Sequence, residues 1–217
     1  MTGSTLVLFT KWLVAAETLT AIAGFITWKK WKVHYLKWMP FYLAAISVLE
    51  IVNRTLEHYS KYDTANKITG VEVLFEMLFI NWFFYKTLAA DKRKIIIAGC
   101  TVYAISCILE RTIFIGTGYY FASLSYTVGN LFILIYLILF FTELVNSDKL
   151  LNFKKLAVFW ISLGMLVFYM GTFPFYGLYN ELAKNLDIFI PVAWAATSLN
   201  YSMYLLFTIG LLWGKPQ

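Results

Sequence analysis

The sequence predicts an all-α polytopic membrane protein with seven transmembrane helices, its N-terminus outside the cell and its C-terminus in the cytoplasm. Composition is the first reason, because 60% of the 217 residues are hydrophobic and only 14% are charged. A soluble domain has about 45–50% apolar and about 25% charged residues, so this chain has too few polar side chains to cover a globule in water. Spacing is the second reason, since the apolar residues fall into seven long stretches. We expect residues 1–217 to form a single domain.

The seven spans are predicted from apolar runs of about 20 residues, the length that the hydrocarbon core of a bilayer requires. Pro40 and Pro191 are expected in the first turns of the second and seventh spans, where a missing N–H costs little. Pro174 is expected to end or kink the sixth span. The break between the fourth and fifth spans rests on Gly116–Gly118 alone. The predicted spans are Thr5–Trp28, Trp38–His58, Ile68–Leu88, Ile95–Ile115, Ser123–Thr142, Leu156–Phe173 and Ile188–Trp213.

The direction of the spans is predicted from the distribution of basic residues. Twelve of the 18 lysines and arginines lie at one set of helix ends, and cytoplasmic loops of membrane proteins carry such an excess. The first, third and fifth connections are therefore predicted to be cytoplasmic. Four tryptophans (residues 28, 31, 38 and 213) lie at the same boundary, as an interfacial aromatic belt would. The twelve basic residues are Lys29, Lys30, Lys32, Lys37, Lys86, Lys92, Arg93, Lys94, Lys149, Lys154, Lys155 and Lys215.

The net charge of +6 does not indicate a nucleic-acid-binding protein. The basic residues lie in short loops between apolar stretches, and no basic face or arm is present, so topology and contacts with lipid headgroups explain them. The lipid bilayer is therefore the first predicted partner. Cys100 and Cys107 are interpreted as small buried apolar residues, and the many Phe, Tyr and Leu residues as lipid-facing or core-packing.

Polar residues within the apolar spans are the candidate functional residues, because ionisable side chains are costly in a membrane. Several of them share one face of a helix, at spacings of three and four residues in the second span. Most fall between the predicted midplane and the outer surface. We therefore expect them to face one another around an acidic pocket that is open to the outside. The candidate ligand-binding residues are Glu17, Glu50, Asn53, Arg54, Glu72, Glu76, Glu110, Arg111 and Asn200.

A purely structural role is the alternative interpretation of these charges. Glu50 and Arg54 could neutralise each other, and Arg111 could serve Glu72 or Glu110. However, five glutamates face two arginines, and two carboxylates remain in excess even if the lysine of the first span is counted. In a site of low dielectric constant, protons or a bound cation should compensate for that excess. The sequence therefore predicts a small polar or cationic ligand, and no metal site or cofactor is expected.

Two aromatic-rich stretches near the C-terminus, Phe159–Tyr169 and Asn200–Tyr204, carry a resemblance to a known group of proteins. They resemble uncharacterised seven-helix inner-membrane proteins of Gram-negative bacteria, over about the last third of the chain. Those proteins are often encoded near histidine kinases. The resemblance implies a bacterial inner (plasma) membrane and a role in signalling, but it implies no activity and no role for any residue.

Three functions are compatible with these features. The favoured one is a sensor that binds a small solute in the outward-facing pocket and signals through a partner protein at the basic cytoplasmic loops. The second is a small-solute transporter of the permease type, built as three helices, a linker helix and three more helices. The third is a membrane enzyme, such as an ether-lipid hydrolase, that uses paired carboxylates as acid and base. The enzyme ranks last because no nucleophile or metal-ligand set accompanies the carboxylates.

Overall fold

The computed structural model describes residues 3–32, 34–113 and 123–215, which are almost entirely helical. Seven helical segments are long and apolar enough to cross a membrane, so the predicted all-α class and the number of candidate spans are confirmed. Short helices connect them at Trp28–Trp31, Asp148–Lys155 and Tyr179–Leu182, and the fourth span begins with the short helix Ala90–Lys92. The seven candidate spans are Thr5–Ile26, Tyr35–His58, Thr64–Thr87, Ala90–Ile113, Ser123–Val145, Ala157–Gly177 and Leu186–Trp213.

The positions of the prolines show where the observed helix ends agree with the predicted ones and where they differ. Pro40 lies in the first turn of the helix Met39–His58, as predicted. The prediction for Pro191 is wrong, because the seventh helix already begins at Leu186 and Pro191 lies inside it. The reason is a capping interaction ahead of the apolar run, in which the Asn185 side chain accepts a hydrogen bond from the backbone of residue 187 at 3.1 Å. The sixth helix continues past its proline to residue 177, and the predicted break at residues 116–118 lies outside the described residues.

The seven spans close into a ring. Each span packs against the next one along the chain, and the seventh also packs against the first. The third span contacts the fifth as well as the fourth. In such a ring, one face of every helix is directed at a shared interior, so polar side chains on those faces can meet.

One end of the bundle, which we call the basic end, comprises residues 27–32, 34–38, 88–92, 146–156 and 213–215. Lys30, in the short helix that follows the first span, donates a hydrogen bond from Nζ to the backbone oxygen of Leu212 at 3.1 Å. Partial burial and the charge of Lys215 lower the pKa of Lys30. Lys215 in turn forms a short parallel bridge with Leu156 at the start of the sixth span. The first, sixth and seventh spans are therefore tied together at the basic end.

The contact between the fourth and fifth spans depends on Gly99. A Cβ atom added at this position would lie 1.9 Å from the hydroxyl oxygen of Tyr136. Tyr136 cannot easily move, because it is fully buried and donates a hydrogen bond to Asn81 Oδ1 at 3.1 Å. We expect Gly99→Ala to lower the free energy of unfolding by roughly 1–3 kcal/mol, the usual cost of overpacking. Denaturation of the purified protein in detergent measures this change.

Gly70→Ala is the matched control, because an added Cβ there meets no atom within 4 Å. Gly70 lies inside the helix Tyr62–Thr87, where alanine has the better helix propensity. The control should therefore be neutral or stabilising. Equal destabilisation by the two substitutions would contradict the close approach at Gly99.

Candidate functional site

Glu76 of the third span lies at the centre of the ring. Tyr169 of the sixth span donates a hydrogen bond to Glu76 Oε1 at 2.5 Å, across the interior. The same carboxylate interacts electrostatically with ionisable side chains on every other span. Because charge interactions weaken with distance, only a group near the axis of the ring can reach all six neighbours. The ionisable side chains on the other six spans that interact electrostatically with Glu76 are Glu17, Tyr42, Tyr103, Tyr126, Tyr169, Tyr176 and Tyr204.

Six tyrosines surround Glu76, and we call them the tyrosine shell: Tyr42, Tyr103, Tyr126, Tyr169, Tyr176 and Tyr204. All are buried except Tyr176, which is half-buried. The rings of Tyr126 and Tyr176 pack at a centroid distance of 4.7 Å, which joins the fifth and sixth spans. From the sequence alone, the aromatic residues were expected only to face lipid or to pack in the core, and this shell was not predicted. The tyrosines within the apolar spans could have indicated it, since a tyrosine hydroxyl group inside a membrane needs a hydrogen-bond partner.

Glu17 of the first span is the most deeply buried of the charged candidates, with 4% of its surface exposed. Tyr204 of the seventh span donates a hydrogen bond to Glu17 Oε1 at 2.9 Å. The other carboxylate oxygen is buried and has no hydrogen-bond partner among the described residues. Glu17 therefore retains an unused acceptor inside the ring.

Glu50 and Arg54 form an ion pair along one turn of the second span, as the structural alternative predicted. Arg54 also donates a hydrogen bond from Nη2 to the backbone oxygen of Thr10 at 2.8 Å. One guanidinium group thus joins a carboxylate of the second span to the backbone of the first. Its direct ion pair is with Glu50, and its charge also interacts electrostatically with Glu17 and Glu72.

The Thr10 oxygen is available because the first span is broken at Trp12. Its two helices are Gly3–Lys11 and Leu13–Ile26, whereas a continuous helix would bond this oxygen to the N–H four residues later. The oxygen of Phe9 is taken up in the same way, by the hydroxyl group of Tyr201 at 2.9 Å. No glycine or proline lies at the break. Side chains of the second and seventh spans therefore compensate for the missing helical bonds.

Glu72 lies one helical turn from Glu76 and is half-buried. It interacts electrostatically with Glu50, Glu76 and Glu17. The structure thus brings together five of the predicted residues, which we call the acidic cluster: Glu17, Glu50, Arg54, Glu72 and Glu76.

The two predicted asparagines lie on the second and seventh spans, each next in sequence to a residue that contacts the break in the first span. Asn53 lies beside Arg54 in sequence and donates a hydrogen bond from Nδ2 to Thr69 Oγ1 at 2.9 Å, which joins the second and third spans. Asn200 precedes Tyr201 in the seventh span, and its buried Oδ1 has no partner in the described part of the chain. Their role in binding a ligand stays a prediction.

Glu110 and Arg111 are placed differently from the acidic cluster. Glu110 accepts hydrogen bonds from the backbone N–H groups of Leu124 and Ser125, both at 2.9 Å, and so caps the start of the fifth span. Arg111 is exposed, and within the described ranges it forms no ion pair with Glu72 or Glu110. Glu110 therefore has a structural role as a helix cap. A ligand-binding role for Glu110 or Arg111 stays a prediction.

Removing the Glu110 cap should destabilise the protein. We expect Glu110→Ala to lower the free energy of unfolding by about 1–2 kcal/mol, because two backbone N–H groups lose their acceptor. Denaturation in detergent measures the loss. Glu181→Ala is the control, since Glu181 only forms an exposed pair with Lys184 and should change stability by less than about 0.5 kcal/mol. Equal stability of the two variants would contradict the capping role.

The acidic cluster carries more negative than positive charge. It contains four carboxylates and one guanidinium group, which is already paired with Glu50. Glu17, Glu72 and Glu76 form no ion pair with any residue that the structure describes. The described residues also contain no group of three His, Cys, Asp or Glu side chains that could hold a metal ion. The carboxylates nevertheless lie close enough to interact electrostatically with one another.

No protein-family model, curated protein or solved structure matches this chain. The resemblance to seven-helix inner-membrane proteins therefore stays a prediction. The acidic cluster and the tyrosine shell together define the chemistry of the candidate site.

That chemistry suits an organic cation. Carboxylates inside a low-dielectric bundle attract a positive charge strongly, and the faces of tyrosine rings attract it as well. Tyrosine hydroxyls and asparagine amides can in addition hydrogen-bond a polar group of the same molecule. Carboxylates surrounded by aromatic side chains are a suitable environment for an ammonium group.

Proposed function

We propose that this protein is an integral membrane receptor that binds a small cationic solute inside its seven-helix ring. The observation that carries the proposal is the position of Glu76, whose carboxylate interacts with ionisable groups on all six other spans. A ligand bound there would contact the whole bundle at once. Binding energy gained at this point can therefore bias the arrangement of several helices.

The carboxylates that form no ion pair favour a ligand with a positive charge. A charged group in a membrane interior costs several kcal/mol unless it is paired or solvated. An ammonium ligand would supply the missing positive charge for Glu76, and the tyrosine shell would add cation–π attraction of about 0.5–2 kcal/mol per well-placed ring. A neutral ligand of the same size gains neither contribution. The site should therefore discriminate by charge.

The proposed orientation places the basic end in the cytoplasm of the plasma (inner) membrane and the N-terminus outside. It is supported by the twelve lysines and arginines at or near that end, since positive charge is retained on the cytoplasmic side. Glu50 and Glu72 then lie on the outer side of Glu76, so a solute would enter from outside.

Labelling of single cysteines tests the orientation. In a chain carrying Cys100→Ser and Cys107→Ser, the exposed residues Lys61 and Asn146 are replaced by cysteine one at a time. A membrane-impermeant maleimide should label Lys61→Cys in intact cells and Asn146→Cys only after lysis. The reverse pattern would invert the proposed topology.

The broken first span offers a route for the signal. Arg54 holds both Glu50 and the free backbone oxygen of Thr10 at the break. A ligand cation competes with Arg54 for Glu50 and so changes how firmly the break is held. The first span ends at the basic end, where Lys30 contacts the end of the seventh span. A partner protein bound at the basic loops would respond to the resulting shift of the first span.

A binding measurement tests the receptor proposal. Purified protein in lipid nanodiscs is titrated with n-butylammonium chloride and, as the uncharged counterpart of similar size, n-pentanol. We expect the ammonium compound to raise the melting temperature in a saturable manner and the alcohol to produce no saturable shift. Equal shifts with both compounds, or none with either, would reject a site that selects positive charge.

Transport is the second candidate, and one observation favours it. Buried polar side chains continue from Glu76 toward the basic end, where Asn81 accepts a hydrogen bond from Tyr136. Such groups could guide a solute through the ring. Uptake of a radiolabelled amine into proteoliposomes would support transport, whereas saturable binding without uptake supports the receptor.

A further inference from the structure

With every carboxyl group ionised, the acidic cluster holds four negative charges and one positive charge, and this excess of three is more than one ammonium group can compensate. Glu17, Glu72 and Glu76 all lack an ion pair among the described residues, while Glu50 is paired with Arg54. A ligand with one positive charge would leave two of these carboxylates without a counter-charge. We infer that the ligand is a linear diamine or polyamine, whose ammonium groups are separated along an alkyl chain. This inference rests on the proposed function and narrows its ligand class.

The unpaired carboxylates lie on two spans and at two levels of one of them. Glu72 and Glu76 are one turn apart on the same helix, which separates their Cβ atoms by about 6 Å. Glu17 approaches them from the first span and interacts electrostatically with Glu76. A compact metal ion needs its oxygen ligands at about 2.0–2.6 Å, and the described residues contain no group of three His, Cys, Asp or Glu side chains that could hold one. Two charges held apart by a short chain fit the spacing better than one dense charge.

An aromatic side chain lies close to the carboxylates. Tyr42 of the second span is buried and interacts electrostatically with Glu76, Glu17 and Glu72, so it lies among all three. Its ring stacks on Phe79 at a centroid distance of 3.9 Å. Such a surface suits the methylene chain of a diamine, because the chain is apolar while both of its ends are charged. A hydrated inorganic cation would gain nothing from this surface.

Buried acceptors without partners independently indicate a polar occupant. Asn130 is fully buried, and neither atom of its amide has a partner among the described residues. It lies one turn from Tyr126 on the same face of the fifth span, and Tyr126 interacts with Glu76. Its neighbour Gly129 packs closely on Met77, the residue after Glu76. Together with the unpartnered Oε2 of Glu17, the amide oxygen provides a further acceptor for an ammonium group.

A comparison of diamines with monoamines tests this inference. Calorimetric titrations of the protein in nanodiscs use α,ω-diamines of three to six carbons, each paired with the monoamine of equal length and compared at constant ionic strength. We expect the best diamine to bind at least about tenfold more tightly than its monoamine, because a second charge-assisted contact is formed. Magnesium and calcium chloride should not compete with it at equal concentration.

Two variants locate the second contact. Glu72→Gln should remove most of the advantage of the diamine over the monoamine. Glu57→Gln, an exposed position on the second span, should leave that advantage unchanged. Melting temperatures of both variants verify that they are folded.

The possible outcomes separate the two proposals. Tenfold or greater preference for a diamine, lost in Glu72→Gln, supports the inference. Equal affinities for diamines and monoamines, a merely twofold statistical advantage, or displacement by magnesium would overturn it while leaving the cation receptor intact. Failure of every amine to bind would overturn both.

Discussion

Replacing Glu76 with Gln is expected to weaken binding of an ammonium ligand by roughly 10- to 100-fold, since one charged contact contributes about 1.5–3 kcal/mol. Gln has nearly the same shape as Glu, and its amide oxygen can still accept the hydrogen bond from Tyr169. The fold should therefore be retained while the central negative charge is lost. Calorimetric titration of the wild-type and variant proteins in nanodiscs measures the difference.

The same substitution should also raise stability. Glu76 forms no ion pair with the described residues, so a neutral side chain removes the cost of an uncompensated charge from the interior. We expect a higher melting temperature together with weaker binding, a combination typical of a site maintained for function at the expense of stability. Glu57→Gln, which removes an exposed carboxylate, is the control for both measurements. Unchanged affinity in Glu76→Gln would remove the basis of the proposed receptor.

The helices could be predicted from the sequence because their cause is local. Each span is an apolar run of the length a bilayer requires, and its ends are defined by charged or polar residues. The error at Pro191 arose because Asn185 begins the seventh helix before the apolar run does. The break at Trp12 has no local signal, since no glycine or proline is present there. It depends on Arg54 and Tyr201, which reach the first span only after the chain has folded.

The sequence could predict how deep in the membrane the site residues lie, but not the side of the helix to which each side chain points. Charged residues in apolar spans are costly, so the glutamates could be recognised as candidate site residues. Their positions along the predicted helices indicated that they share one depth in the membrane. Depth does not specify which way a side chain points around the helix axis. Glu110 illustrates the difference, because it faces the fifth span and caps it instead of joining the acidic cluster. The tyrosine shell was missed because tyrosine suits both lipid-facing and interior positions.

Arg54 is the residue whose loss should disturb the fold most. Its replacement by Met leaves the Glu50 carboxylate without a counter-charge and the Thr10 oxygen without a donor. Breaking a partly buried pair from one side is costly, so we expect Arg54→Met to lower the free energy of unfolding by about 2–4 kcal/mol. Denaturation of the purified protein in detergent measures the loss.

Double substitution tests whether that loss comes from the pair itself. If the unpaired carboxylate is the main cost, Glu50→Gln combined with Arg54→Met should recover about half of the stability, and the remainder reflects the free oxygen at the break. Arg111→Met is the control, because Arg111 is exposed and should change stability by less than about 0.5 kcal/mol. Arg54→Met should also bind ammonium ligands more tightly, since they no longer compete with a guanidinium group for Glu50. A variant that is stable and binds no better would show that Arg54 connects neither the acidic cluster to the broken span nor the ligand to the signal.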